Sequence, residues 1–370
     1  MRIGFDARWY NDSGVGSYVA GLVPALAHAG CDLVVYVDPA KPVPGLDKLA
    51  VNVVPVSVGR YSPFASIEFR RRAKQDKLDV FHSPFYVAPR LECPTIITVH
   101  DLIPFLFPIY PWMKQQMVKA GYSTGVCRAT HIIADSQHTS SDLQKVLGVS
   151  PRRITAVHLA AERKVFSPCG TAEELERLDE KFGVRQPYFV VASAHNWRTK
   201  NLEGALKAVA SAHNQTDLKF QTAVYGSPQG IEALRSNDLW AELNICRVGY
   251  VERGELAMLF RHAHAFVMPS LYEGFGLPLV EAMSCGCPVI TSNRGSLPEV
   301  AGGGAQCFDP VDADAMAAAL HALLRNPHEL ERRKAAALRR AADFSWDKTA
   351  FDTISVYHHV NRKSFSAISK

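Results

Sequence analysis

The sequence predicts an α/β protein built from two doubly wound parallel-sheet domains, and three observations carry that expectation. A length of 370 residues suits roughly two to three domains. Apolar runs of strand length alternate with longer amphipathic stretches, and most of these runs are too apolar to leave one face wet. Continuous apolar strands alternating with helices are the mark of parallel sheets covered on both sides. The alternation also breaks off near residue 166 and then begins again.

The first series reads as strands at 2–6, 33–37, 51–54, 80–82, 95–100, 132–135 and 154–158, with helices at 16–29, 66–75, 112–128 and 139–147. The second reads as strands at 188–193, 220–225, 245–248, 265–268, 288–291 and 305–308. Its helices fall at 201–212, 253–261, 278–284, 313–324 and 329–342. Between the two lies 163–187, with a Pro-Cys-Gly turn and an acidic helix over 172–181. The expected domains are therefore 1–165 and 166–344. A last helix over 345–361 carries Trp346, Phe351, Ile354 and Tyr357 at helical spacing, a packing stripe expected to return 345–370 to the first domain. Two such domains place a functional cleft between the carboxyl ends of their sheets.

Composition narrows the class. The chain is 47% hydrophobic and 21% charged, enough for real cores and unlike disordered or fibrous sequences. No apolar run approaches the roughly 18 residues of a membrane span. No apolar stretch with a small-residue cleavage site follows Met1, and the eight cysteines are scattered. A cytoplasmic enzyme with reduced thiols is the expectation. The net charge of +5 (41 − 36) is too small for a nucleic-acid binder. Residues 1–165 hold 19 basic and 13 acidic side chains and the remainder 22 and 23, so the first half faces something anionic.

The strongest chemical signal is Pro269-Ser-Leu-Tyr-Glu-Gly-Phe-Gly-Leu-Pro-Leu-Val-Glu-Ala-Met283. It follows a strand and opens a helix at Pro278, so Glu273 lies in the connecting loop and Glu281 one turn inside the helix. Gly274 and Gly276 let the backbone bend tightly and present N–H groups. A helix N-terminus suits an anion, while two carboxylates beside it suit hydroxyl groups. Together they fit a phosphate-linked polyol, a nucleotide sugar. Taken singly, Glu281 would be a first-turn acid complementing the helix dipole and Glu273 a solvated loop residue. The Gly-Phe-Gly setting favours a site.

This segment resembles the E-x7-E signature of the retaining glycosyltransferases of family 4. Gly14-Val-Gly-Ser-Tyr18, His100-Asp-Leu-Ile-Pro104, Ala134-Asp-Ser-Gln-His-Thr-Ser140, Lys200-Asn-Leu202, Gly249-Tyr-Val251, Ser296-Leu-Pro-Glu-Val300 and Phe308-Asp-Pro310 follow the family's order over nearly the whole chain. In texture it is similar to bacterial surface-polysaccharide mannosyltransferases. The resemblance implies the GT-B architecture, two Rossmann-like domains facing across a cleft with the C-terminal helix crossing back. It also implies roles. Glu281 would hold the ribose hydroxyls, and Glu273 with Gly274, Phe275, Gly276 and Leu277 would contact the donor sugar. Gly14 and Gly16, in the loop after the first strand, would approach the diphosphate. His100 would lie near the reacting sugar, and Tyr250 and Val251 near the base. Arg198 and Lys200 would neutralise the leaving diphosphate, as fixed cations stabilise developing charge. Thr199 between them departs from the spacing in many relatives, and a solvated loop is their other reading.

The implied reaction moves a hexose to a glycan or lipid-linked glycan with retention, without a metal or cofactor. GDP-mannose is the first expectation for the donor and a UDP-hexose the second. No residue qualifies as a covalent nucleophile, which suits a front-face route. The alternatives are a nucleotide-sugar epimerase of the same fold and a non-catalytic carbohydrate- or nucleotide-binding protein.

Several motifs are discounted. Asp312-Ala-Asp314 precedes an Ala-rich helix and reads as a cap. His262, His264, His358 and His359 lack zinc spacing, as Cys285-Gly-Cys287 lacks redox spacing. Val19 stands where a dinucleotide fingerprint needs a third glycine. The basic run Arg60, Arg70, Arg71, Arg72, Lys74 and Lys77, with Phe64, Ile67 and Phe69 interleaved, reads equally as a surface for anionic lipid and as a solvated helix. Trp112, with Met113, Lys114, Met117 and Lys119, is a second candidate acceptor surface. These readings suggest a peripheral place on the inner membrane face.

Overall fold

Every strand pairing among the described residues is parallel, in two separate sheets. The computed structural model describes residues 1–370 except 11–12, 42, 63, 194–197, 235–242 and 369–370. Two units result, one of Met1–Ala160 with Ser345–Lys370 and the other of Ala161–Phe344.

In the first unit β1 (Arg2–Asp6), β2 (Asp32–Val37), β3 (Asn52–Pro55), β4 (Val80–Ser83), β5 (Thr95–Val99), β6 (His131–Ala134) and β7 (Ile154–Ala156) form one sheet in the order β3-β2-β1-β4-β5-β6-β7. Every residue of β4, β5 and β6 is buried, whereas three of the four residues of edge strand β3 are exposed. That contrast explains why the inner strands read as unbroken apolar runs. The strand order reverses between β1 and β4, which are paired through Ile3 and Val80. Asp6 ends β1, and Pro84, His100 and Asp135 follow the carboxyl ends of β4, β5 and β6.

One expectation about the first helix fails. It spans Ser13–His28, so Gly14 and Gly16 sit in its opening turns rather than in a loop. A short helical turn at Ala7–Trp9 uses up the link that sequence reading assigned to the loop.

The last helix, Trp346–Ile368, belongs to this first unit. Its buried side is Thr349, Ala350, Thr353, Val356, Tyr357 and Val360. Phe351 is 71% exposed, so the anticipated stripe was rotated and Phe351 is no part of it. Gly21 leaves room for the Trp346 indole, which a Cβ there would overlap. Inside, the Tyr357 hydroxyl meets His82 Nδ1 at 2.6 Å, His82 Nε2 meets Thr98 Oγ1 at 2.8 Å, and Tyr18 reaches the same Thr98 oxygen at 3.0 Å. Burial holds His82 down to about 3, so the ring is neutral and its two nitrogens are satisfied by two hydroxyls.

In the second unit β8 (Tyr188–Ser193), β9 (Gln221–Gly226), β10 (Ile245–Gly249), β11 (Ala265–Met268), β12 (Val289–Ser292) and β13 (Gln306–Phe308) take the order β10-β9-β8-β11-β12-β13, which reverses between β8 and β11. Helices Leu202–Asn214 and Ala313–Arg325 cover one face, with Leu206, Val209, Met316 and Leu320 packed on Phe189, Val191 and Val267. The unit begins at Ala161 rather than at residue 166. Arg163 explains the difference, donating to the carbonyls of Ala342 and Phe344 at 3.1 and 3.2 Å. Short helices at Ile103–Leu106, Pro228–Leu234 and Leu297–Ala301 had no counterpart in the sequence reading.

Tyr357→Phe leaves one nitrogen of buried His82 without a partner, a loss of about 1–3 kcal/mol. The variant is expected to melt several degrees lower by calorimetry or circular dichroism. An unchanged transition would show that this hydrogen bond does not secure the C-terminal helix.

Candidate active site

The site forms where the strand order of the second sheet reverses. In open α/β sheets ligands settle outside the carboxyl ends of the strands at such a reversal. The turn at 198–200 follows β8 after residues 194–197, which lie outside the described set, and the loop Pro269–Gly276 follows β11. The loop is fixed by backbone bonds on two sides. Leu271 N–H donates to the Thr199 carbonyl at 2.7 Å, and the Ser296 hydroxyl donates to the Glu273 carbonyl at 3.0 Å. Gly295, at φ +64°, allows the close approach; a Cβ there would lie 3.0 Å from Glu273 N. Asn201 completes the frame, donating to the Pro310 carbonyl at 2.8 Å and capping the next helix at Gly204 N–H, 3.2 Å.

Held in this way, Glu273 faces Lys200. The ammonium contacts both carboxylate oxygens, at 2.6 and 2.7 Å. Glu273 is buried and Lys200 half-buried, which makes the pair less screened than a surface one. Arg198 is exposed on the same turn, and Thr199 between them is buried. The inserted threonine therefore turns inward, leaving the two cations on the outer side of one turn. The Phe275 side chain packs edge-on against Phe344, so only its backbone is offered to a ligand. Gly276 is the left-handed N-cap (φ +95°) of helix Leu277–Ser284, where a Cβ would press on Leu297. Leu277 and Pro278 are the helix's first two residues, one position earlier than the sequence suggested.

Glu281 lies in that helix, buried, with Arg253 Nη2 3.9 Å away. Burial raises its carboxyl to about 7; Arg253 opposes the shift and Glu162 adds to it. Sequence reasoning missed Arg253. Its guanidinium also pairs with Glu162 at 3.0 Å and lies over Phe166. Its Nε and the fully buried hydroxyl of Ser270 have no hydrogen-bond partner among the described residues. Orphaned polar groups beside a buried carboxylate are what a site built for a polar ligand leaves behind. Ser270 stood within the quoted motif, and Arg253 followed Gly249-Tyr-Val251 by two residues. Tyr250 is 72% exposed beyond the carboxyl end of β10, with Val251 half-buried beside it.

Gly14, Gly16 and His100 belong to the first unit. His100 Nδ1 meets Asp135 Oδ2 at 2.6 Å and Nε2 meets the Pro84 carbonyl at 2.9 Å. Burial alone would lower its pKa, but Asp135, the Pro84 carbonyl and Asp101 together raise it. With an acceptor at each nitrogen the ring is held as a cation, which argues against a general base. The basic run is partly neutralised: Arg71 and Arg72 both pair with Glu68 at 2.8 Å. Arg70 donates to the Arg90 carbonyl at 3.4 Å, and Lys74 and Lys77 are exposed. Trp112 is 75% exposed. Asp312 caps Ala315 N–H and Asp314 accepts from Ser211, as a capping segment does. Among the described residues no cluster of three His, Cys, Asp or Glu side chains is placed to hold a metal, and no helix is long and apolar enough to cross a membrane.

Two parallel-sheet α/β units, with seven and six strands, define the GT-B class. Residues 13–162 match the family model "Glycosyltransferase Family 4" and residues 174–340 match "Glycosyl transferases group 1". The chain belongs to glycosyltransferase family 4. It is 31% identical over 287 residues to O-antigen chain mannosyltransferase B of Escherichia coli, covering 75% of this chain and 74% of that protein. It is 34% identical over 260 residues to the MMP alpha-(1->4)-mannosyltransferase of Mycolicibacterium hassiacum, covering 66% of this chain and 59% of that one. Sucrose-phosphate synthase from Thermosynechococcus elongatus shares the fold, with a TM-score of 0.76 and 20% identity over 99% of this chain and 100% of that one.

Glu281 gives a pH signature. Its carboxyl holds a proton up to about 7 in the folded protein, against an ordinary 4.5. The folded state thus binds more protons across that window, and stability falls as pH rises through it. The full cost, roughly 3 kcal/mol, is present above about 7. Glu281→Gln should therefore melt like wild type at pH 4 and measurably higher at pH 8, without ligand. An equal difference at both pH values would contradict the buried-carboxylate account.

Proposed function

We propose that the protein transfers mannose from GDP-mannose to a glycan or lipid-linked glycan with retention of anomeric configuration. The bidentate Lys200–Glu273 pair at the sheet reversal, beside buried Glu281, is the observation that carries this reading. The names of the E. coli and M. hassiacum relatives supply the sugar. In the free protein Lys200 is occupied by a carboxylate. An arriving diphosphate competes for that ammonium, with Arg198 adding charge. The released Glu273 is then free to accept hydrogen bonds from the sugar. Glu281 accepts from the ribose diol, with Arg253 and Ser270 nearby to satisfy further polar atoms. Tyr250 and Val251 lie on the side assigned to the base.

The chemistry needs no protein nucleophile. The anomeric carbon–phosphate oxygen bond breaks, and its electron pair stays on the diphosphate, where Lys200 and Arg198 stabilise it. The acceptor hydroxyl oxygen bonds to the same face of the anomeric carbon and gives its proton to the departing phosphate oxygen. Both cations act most strongly on the charge that develops as the bond breaks, so their effect falls on turnover more than on binding.

Thermal-shift measurements with GDP, UDP and ADP test the donor, since a ligand bound only by the folded state raises its melting temperature. GDP should give the largest rise; a larger rise with UDP would replace GDP-mannose by a UDP-hexose. Labelled nucleotide sugars then separate transfer from isomerisation or binding without turnover. Lys200→Ala should lower kcat by about a hundredfold or more, a loss typical of removing one charge-stabilising group. Glu281→Ala should chiefly weaken nucleotide affinity. Wild-type turnover in both variants would refute the site assignment.

A further inference from the structure

Arg253 stands between two carboxylates and pairs closely with only one of them. Its Nη1 meets Glu162 at 3.0 Å, while its Nη2 remains 3.9 Å from Glu281. All three residues belong to the second unit. Glu162 lies on the segment that opens it, Arg253 begins helix Arg253–His262, and Glu281 sits in helix Leu277–Ser284. The guanidinium rests over the Phe166 ring, 5.4 Å from its centroid, and its Nε is enclosed. Phe166 and Glu162 are tied into one turn, because Val165 and Phe166 N–H both donate to the Glu162 carbonyl, at 2.9 and 2.8 Å. That turn sets the ring beneath the guanidinium and the Glu162 carboxylate at its edge together.

The two acids differ in their surroundings. The Glu162 side chain is 43% exposed and keeps its charge in water, whereas Glu281 is buried and its charge is disfavoured. Tyr225, from β9, and Cys285, at the end of the Glu281 helix, also face Glu281; burial raises both, so neither carries a charge. Among the described residues Arg253 is the one cation within 4 Å of Glu281. A contact that would relieve the buried acid therefore goes to the hydrated one.

We propose that Glu162 is a positioning residue for the donor: it draws Arg253 off Glu281 and so keeps that carboxylate open to the two ribose hydroxyls. The inference rests on the ribose role proposed above for Glu281. Without Glu162 the guanidinium, still resting on Phe166, swings the short distance onto Glu281. The charge of Glu281 is then stabilised but its oxygens are occupied, and a diol has to displace an ion pair before it binds. With Glu162 in place the buried carboxyl stays near 7, because a cation at 3.9 Å and a second acid behind it offset little of the burial. Donor binding to wild type accordingly improves as pH rises and the proton leaves Glu281.

Titration calorimetry of the full chain with GDP, and again with UDP, at pH 6 and pH 8 tests this. Glu162→Gln should bind the nucleotide about fivefold more weakly than wild type at pH 8, the worth of one partly exposed ion pair. At pH 6 it should bind no more weakly, because wild-type Glu281 is then largely protonated while the variant's is held charged by Arg253. Titration of the nucleotide phosphate is common to both proteins and cancels in the comparison. In an Arg253→Gln background the same substitution should cost no affinity at pH 8, since no guanidinium is left to be captured. Equal losses at both pH values would mark a structural lesion and overturn the proposal, as would full affinity at pH 8. Melting without nucleotide separates this inference from the donor reading. Between pH 5 and pH 8 the melting temperature should fall less in Glu162→Gln than in wild type, because the variant's Glu281 titrates nearer the ordinary carboxylate range. An unchanged fall would overturn the competition for Arg253. A smaller fall in a protein that binds neither nucleotide would uphold that competition and refute the ribose role.

Discussion

Glu273 is held by its backbone before it is held by its charge. The Ser296 hydroxyl fastens its carbonyl, and the Leu271–Thr199 bond ties its loop to the turn that carries Lys200. With both anchors in place, the carboxylate and the ammonium have little choice of partner in the free protein. The same anchors set where a diphosphate finds its cation and where a sugar finds its acceptor. A loop without them would let the pair drift, and loss of positioning by even an ångström is costly for catalysis. The reversal of strand order between β8 and β11 supplies the room, since neighbouring connections leave the sheet on opposite faces there.

The site is not optimised for the stability of the empty protein. Glu281 is a buried carboxyl whose charge is disfavoured, and among the described residues neither Arg253 Nε nor the Ser270 hydroxyl has a partner. Each of these groups would be better satisfied in water or by a ligand. The first unit treats its polar interior differently. His82 is neutral between two hydroxyls, and His100 is charged between a carboxylate and a carbonyl. The two rings are thus pushed in opposite directions, His82 down by burial between hydroxyls and His100, against the effect of burial, up by Asp135 and the Pro84 carbonyl. Asp135 is the residue that makes the difference, and its second oxygen has no partner among the described residues.

Much of the architecture was legible because burial on both faces writes itself into sequence as apolar runs. Tyr188–Ser193 and Ala265–Met268 were bounded as they stand in the structure. Elements with weaker burial patterns were not: Pro228–Leu234 and Leu297–Ala301 are too short for a helical period to show. Spacing gave the direction of the C-terminal stripe only approximately, because it cannot say which side meets the sheet. Phe351 therefore seemed a core residue, and Thr349 and Thr353 did not. At the site, Glu273, Glu281 and Lys200 were visible through their motifs. The pairing of Lys200 with Glu273, 73 residues apart, depends on which strands are neighbours and is absent from any local pattern. Arg253 was hidden for the same reason, and counting charges along the basic run could not show that the single Glu68 pairs with both Arg71 and Arg72.

The central claim is that the donor takes Lys200 away from Glu273. A double-mutant cycle with Lys200→Met and Glu273→Gln, read as unfolding free energy, measures the coupling of the pair. In the free protein the coupling should be about 1–3 kcal/mol, as for a partly buried ion pair in good geometry. Saturation with whichever nucleotide sugar raises the melting temperature most should reduce it to near zero. An equal coupling with and without that ligand would contradict the account.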